Sequence, residues 1–574
     1  MVISQWRPLL ALIFLLGLFP ACQQNPNPVV RNEFSLIAPN GGIACSEPLA
    51  GQAGLEVLQK GGNAMDALVT VGMAMAVTYP RAGNLGGGGF IVYRQNGGTV
   101  QTYDFREVGP GESTPDMFWN EDGSPNNERS QIGALAAGIP GTVRGFYEAH
   151  QRHGKLPWKD LLQPAIRLAR EGFEVNDYLH RLIRSKEDRM ARFPASAAIF
   201  LSGGEALKPG DKLVQSDLAW SLEQIAEQGD KAFYEGEIAE RLVAASRANG
   251  GIFSMADFAA YQAKERQPVV VDYRGFRLYS MPPISSGGLV LQGVFNTLNA
   301  YPLSRDFPHN GSAYIGLVSE VTKRWYAKRN RYLGDPDVVE IPYGEFSDPA
   351  AIAAVRENLD PTHPFPARRL PEFEVIRPQP AESEQTTHIS ILDREGNAVS
   401  MTYTLNGNFG SCMVAEGTGI LLNNEMDDFA AKPGFPNMFG LVQGEANAVG
   451  PGKRMLSSMT PTIVEKDGQL AGLVGTPGGA TIITSVMQII LSKIDYNLTL
   501  DAALKAGRFH QQWLPDTIYV EEDRFNAGDL EKLKEDGFKL VKRGRIGDIQ
   551  AIWRSESGWE VCSDPRGNGR PFGY

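Results

Sequence analysis

Gln385-Thr386-Thr387-His388-Ile389-Ser390-Ile391-Leu392-Asp393 decides how the rest of the chain is read. It is a polar break running straight into an alternating strand. A chain cut before Thr386 would carry a hydroxyl nucleophile and a free α-amine on one residue. An α-amine titrates near about 8, so it can accept the hydroxyl proton at neutral pH, where a lysine amine cannot. By pattern alone, the same nine residues are an ordinary half-buried strand.

The surroundings suit a cut at that point. Upstream, Pro361 to Glu384 is rich in proline and charge and reads as an exposed connection, where cleavage tears no sheet. Downstream, Asp393-Arg394-Glu395-Gly396-Asn397 turns and Ala398 to Thr404 returns, so Thr386 opens a hairpin. Further strands are expected at 462–465, 470–475, 518–521 and 549–554, with a long helix over 480–494. Towards the N-terminus, apolar spacing predicts a helix over 47–60, stopped by Gly61-Gly62. A second helix over 64–77 follows, N-capped by Asn63. Gly86 to Gly89 leads into a hairpin of 90–94 and 99–105. That order, loop then strand, is the reverse of a phosphate-binding turn. Residues 141–265 read as mostly helical, and 273–281 as strand before a turn and another helix. Strands grouped in hairpins favour stacked antiparallel sheets covered by helices over a parallel doubly wound fold.

The composition, 42% hydrophobic and 21% charged over 574 residues, is that of a soluble globular chain, and a net charge of −11 argues against a general nucleic-acid binder. Arg7 and the short apolar run Leu9 to Phe19 read as an export signal. The run ends at Phe19-Pro20-Ala21-Cys22, which resembles a bacterial lipoprotein signal with Cys22 acylated. Ordinary secretory cleavage near Ala21 is the alternative. The expected divisions are a signal over 1–22, a flexible tether over 23–35, and a body from residue 36. Periplasmic or outer-membrane-anchored localisation follows. Cys45, Cys412 and Cys562 allow at most one disulfide, and seven histidines without HxH or HExxH spacing predict no catalytic metal. No cofactor is expected.

Polar clusters follow Thr386 at Thr404-Leu405-Asn406, Asn423 to Phe429, Arg454 to Met459 and Thr476-Pro477-Gly478-Gly479. With Gly86 to Phe90, Asp104-Phe105-Arg106-Glu107, Ile139 to Thr142, Asn447 to Pro451 and Arg508-Phe509-His510, they make the sequence strongly resemble the γ-glutamyltranspeptidase family from about Gly41 to Tyr574. The resemblance implies an αββα sandwich of the N-terminal-nucleophile hydrolase type, class α+β. Its two subunits, 36–385 and 386–574, come from one precursor cut between Gln385 and Thr386.

It also implies roles. Thr386 is the nucleophile in self-cleavage and turnover, and Thr404 orients its hydroxyl. The N–H groups of Gly478 and Gly479 form the oxyanion hole, although alone they read as a turn. Arg106, Ser457 and Ser458 suit the donor's α-carboxylate, and Asn406, Glu425 and Asp428 its α-ammonium. Glu425 stands where some members have glutamine. Pro433 to Gly444 resembles a lid loop, in which Phe439 replaces a tyrosine of some bacterial enzymes. The implied donor is a γ-glutamyl amide such as glutathione, and the acceptor water, an amino acid or a peptide. The rivals are a related acylase acting on cephalosporin or poly-γ-glutamate, and a catalytically dead lipid-anchored binding protein.

Overall fold

The computed structural model describes residues 28–357, 359–370 and 386–574; Cys22 and Gln385 lie outside them. Two antiparallel sheets form its centre. The first has seven strands, in the order Lys264–Arg266, Val100–Asp104, Gly88–Arg94, Ala398–Thr404, Thr387–Leu392, Gly42–Cys45 and Arg570–Gly573. The second has eight: Val29–Asn32, Ser35–Ala38, Gly558–Ser563, Gln550–Ser555, Gln469–Gly475, Thr462–Lys466, Phe276–Ser280 and Val269–Tyr273. In both sheets, strands from beyond residue 386 are flanked on both sides by strands from before it, apart from the edge strand Arg570–Gly573.

Helices cover the outer faces. Pro48–Gln59, Ala64–Thr78 and Trp158–Glu171 share a core with Ile389, Ile391, Val399 and Met401 of the first sheet. Gly287–Leu298, Ser312–Tyr332 and Thr481–Ile494 share another with Val271, Leu278, Val464 and Leu473 of the second. The result is the expected four-layer αββα order. Asn63 caps its helix through a capping box with Asp66, and Gly61 stops the preceding helix at a φ of 93°.

The strand after Thr386 differs from an ordinary half-buried one, because all six of its residues are buried. Ile389 and Ile391 face the helices, while His388, Ser390 and Leu392 face the second sheet. There the His388 ring lies 2.8 Å from Thr402 Oγ1 and 3.1 Å from Ser390 Oγ. Ser390 Oγ donates to Gln550 O, and Thr462 N–H donates to Ser400 Oγ. Small hydroxyl side chains thus satisfy one another between the sheets, and this lets the layers approach closely. Burial pulls the His388 ring down to about 3, so it stays neutral at neutral pH and cannot compete with an α-amine as proton acceptor.

Two expectations are corrected. The tether does not reach residue 35: Val29 and Val30 pair with Ile37 and Leu36 as an edge hairpin, because β-branched residues gain ladder hydrogen bonds there that a free tail lacks. The strand near 518–521 is shorter, Ile518–Val520, and stands outside both large sheets, in a small one where it runs parallel to Leu540–Lys542. Cys45, Cys412 and Cys562 are buried free thiols.

Candidate active site

Thr386 stands at the mouth of its strand and is 4% exposed. Its hydroxyl donates to Thr404 Oγ1 at 3.3 Å, across a hairpin whose register pairs Thr387 with Tyr403. Thr404 Oγ1 also accepts from Asn406 N–H at 2.8 Å, so the second hydroxyl is fixed from both sides. The strand carrying Thr404 is packed so tightly that a Cβ at Gly87 would sit 2.0 Å from Thr404 O. Thr386 itself has a φ of 127°, a region that β-branched residues rarely adopt.

Around this hydroxyl, one cavity gathers Arg106, Asn406, Glu425, Asp428, Phe439, Ser457, Ser458 and Gly479 with Thr386 and Thr404. Gly478 adjoins it. Every site residue expected from the sequence and lying among the described residues is therefore brought to one place. The cavity encloses about 20 Å³, room for water rather than for an amino acid.

The charged wall is fully buried. Arg106 pairs with Glu425, reaches Asp428 Oδ2 at 2.5 Å and Glu107 Oε2 at 3.6 Å, and donates through Nε to Met455 O. Burial pushes the Glu107 carboxyl up to about 7, against the pull of Arg106, and raises Glu425 and Asp428 in the same way. Asn406 Nδ2 is committed to Asn424 O, which leaves the amide oxygen as the end that can accept from a cation.

Gly478 and Gly479 precede helix Thr481–Ile494 with φ of 145° and 54°, values natural to glycine alone. A Cβ at Gly479 would lie 2.4 Å from the Phe439 ring, so the loop carrying Phe439 covers Gly479 directly. That loop is tied down at both flanks. Met438 N–H donates to Asp427 Oδ2 and Asn437 Nδ2 to Asp428 Oδ1, while Gln512 Nε2 donates to the carbonyls of Phe439 and Gly440.

Two further residues belong here that were assigned no role from the sequence: Glu107, quoted above only as part of the stretch around Arg106, and Arg329. Arg329 lines the cavity and donates to Ser458 Oγ at 3.1 Å. It is one of five basic residues between 323 and 331; Lys323 and Arg324 are buried as well, and nothing in the spacing marks the one that reaches the cavity.

A threonine hydroxyl at the head of an inner strand, between two antiparallel sheets enclosed by helices, defines an N-terminal-nucleophile hydrolase. The family model of γ-glutamyltranspeptidase matches residues 50–574, and the chain belongs to that family. It is 45% identical over 531 residues to the glutathione hydrolase proenzyme of Escherichia coli K12, covering 92% of this chain and 91% of that one. Among solved structures, a cephalosporin acylase from Bacillus halodurans superposes with a TM-score of 0.82 at 26% identity, over 96% of this chain and 98% of that one. The Helicobacter pylori γ-glutamyltranspeptidase superposes with a TM-score of 0.55 at 36% identity, over 57% of this chain and 93% of that one.

Proposed function

We propose that the protein is a self-processing enzyme that cleaves γ-glutamyl amides such as glutathione through a γ-glutamyl ester of Thr386, then passes the acyl group to water or to the amine of an amino acid or peptide. The observation that carries this reading is the juxtaposition of opposite charges, Arg106 against Glu425 and Asp428, in the same small cavity as the Thr386 hydroxyl. A γ-glutamyl group is a zwitterion at one end and an amide at the other. Arg106 with Ser457 and Ser458 suits its α-carboxylate; Asn406, Glu425 and Asp428 suit its α-ammonium. Both charges must be met for the amide to reach the hydroxyl.

In the first half-reaction, Thr386 Oγ attacks the γ-carbonyl as its proton passes to the freed α-amine. The N–H groups of Gly478 and Gly479 take up the oxyanion, and the amine leaves with the proton. Water or an acceptor amine then repeats the sequence on the ester. Self-cleavage uses the same hydroxyl against the carbonyl of residue 385. The φ of Thr386 supports it: strain of about 1–3 kcal/mol at such a residue disappears once the preceding peptide is broken.

The test is the chain count and activity of Thr386→Ala. The wild-type protein should show two fragments, the smaller beginning at Thr386, and should release p-nitroaniline from γ-glutamyl-p-nitroanilide faster than it deacylates glutaryl-cephalosporin. Thr386→Ala should stay one folded, inactive chain, and Thr386→Ser should process more slowly. Two-chain processing of the alanine variant would falsify the nucleophile assignment.

The N-terminal segment supports export, with Cys22 as a lipid attachment point. Among the described residues, no helix is long and apolar enough to cross a membrane.

A further inference from the structure

Helix Ser312–Tyr332 buries charged side chains along its second half, and Arg329 at its end reaches the cavity. This guanidinium is 1% exposed. Its hydrogen bonds among the described residues go to neutral oxygens: Ser286 Oγ at 3.0 Å, Ser458 Oγ at 3.1 Å, Asn330 Oδ1 at 2.8 Å and Gln443 Oε1 at 3.4 Å. Burial brings it down to about 10, so it remains charged at neutral pH. Asp428, on the same cavity, feels this charge without a hydrogen bond to it, so among the described residues the guanidinium is hydrogen-bonded by dipoles alone and its charge also reaches an anion entering the cavity.

Its bonds fix the two serines in a particular sense. Because Arg329 donates to Ser458 Oγ, that hydroxyl receives a hydrogen from behind and turns its own hydrogen elsewhere. Ser457 Oγ is likewise an acceptor, from Met459 N–H at 3.1 Å. The Ser457 carbonyl accepts from both the N–H and the hydroxyl of Ser286, and the Ser286 hydroxyl is the group that Arg329 Nε holds. Arg106 pins the same loop two residues earlier, at Met455 O. Two guanidiniums therefore anchor one loop, and between them stand two hydroxyls whose hydrogens are free to donate.

We propose that Arg329 is a positioning residue for the donor's α-carboxylate: it sets Ser457 and Ser458 as paired donors and supplies a second positive charge behind them. This rests on the γ-glutamyl reading above. Arg329 touches no reacting atom, so its loss should weaken donor binding and leave the acylation chemistry largely intact.

The test uses Arg329→Gln, Arg329→Lys and Ser286→Ala on γ-glutamyl-p-nitroanilide. The competitor is 4-aminobutyryl-p-nitroanilide, the same compound without the α-carboxylate, measured by its inhibition constant. For Arg329→Gln, KM on the γ-glutamyl compound should rise about 10- to 100-fold with kcat within about threefold, while the competitor's constant stays within about threefold. Arg329→Lys should recover part of the loss, because it restores the charge without the two-pronged fork. Ser286→Ala should show a smaller shift of the same selectivity. Equal losses for both compounds, a fall in kcat at unchanged KM, or no loss at all overturns the proposal. Should Arg329→Gln not yield the two-chain protein, the same criteria applied to the other two variants decide. A wild-type enzyme that binds both compounds equally would instead sink the γ-glutamyl reading itself.

Discussion

Glu425 sets how the cavity answers to pH. Three carboxyls, Glu107, Glu425 and Asp428, crowd one guanidinium, and burial pushes all three upward, Glu107 to about 7. Burial favours the protonated form of each, so the ionised share of the cluster grows as pH rises, for Glu107 through about 7. A protonated carboxyl loses the charge attraction for the donor's ammonium, so kcat/KM on γ-glutamyl-p-nitroanilide should rise between pH 6 and pH 8. Glu425→Gln removes one titrating member and should make the rise shallower, with KM at pH 6 closer to KM at pH 8. Both proteins keep Thr386, so the difference between the profiles isolates the cavity. Equal steepness in the two would remove Glu425 from the ammonium subsite. Little of this was legible residue by residue. An isolated arginine or a Glu-x-x-Asp is usually a surface charge, and Arg106, Glu425 and Asp428 were found only as members of a family pattern. Arg329 escaped even that, because a helix whose charged residues are mostly buried offers no alternation by which to pick one.

Among the elements, the loop from Pro433 to Gly444 has the most to do with the outcome of the reaction. Phe439 lies on Gly479, and the loop's neighbouring bonds run to Asp427 and Asp428. We propose that the donor enters when this loop lifts, because the space beneath it is small. Lifting it also frees Asp428 from Asn437 for the ammonium, so opening and preparing the subsite are one movement. Over the acyl ester, the ring limits water while leaving an opening at its edge for an acceptor. Phe439→Ala should therefore raise the ratio of free glutamate to γ-glutamyl-glycylglycine when glycylglycine is the acceptor, by about two- to tenfold, with self-cleavage unchanged. A ratio equal to wild type would show that the ring does not gate water. Elements were read more reliably than residues wherever the signal was local. The capping box at Asn63, the glycine stop at Gly61 and the turn at Asp393 each act within a few residues. The alternation after Thr386 does not show that both faces of the strand are buried, since its polar alternates are satisfied by a second sheet drawn from distant parts of the chain.

For the whole molecule, the four layers followed from hairpin grouping and from the family pattern, whereas the order of strands did not, because pairing across hundreds of residues leaves no local mark. The molecule's attachment depends on its first residues. If Cys22 is acylated, the mature protein should sediment with membranes, and Cys22→Ser should release it or block its maturation, since more than one chain is needed for stable anchoring. A soluble mature protein with an unmodified N-terminus downstream of Cys22 would remove the anchor and leave the chemistry untouched. The layered order has a consequence of its own. In both sheets a block of strands from after the proposed cut lies between strands from before it, so the scission frees an end without separating any neighbours. The uncut chain finds this arrangement as a single strand of text, each pairing a closure within one molecule. Afterwards the same pairings would demand that two partners meet, at whatever dilution they find themselves. Cutting thus makes folding a one-time event, and the working enzyme endures by the slowness with which it comes apart rather than by any readiness to form again.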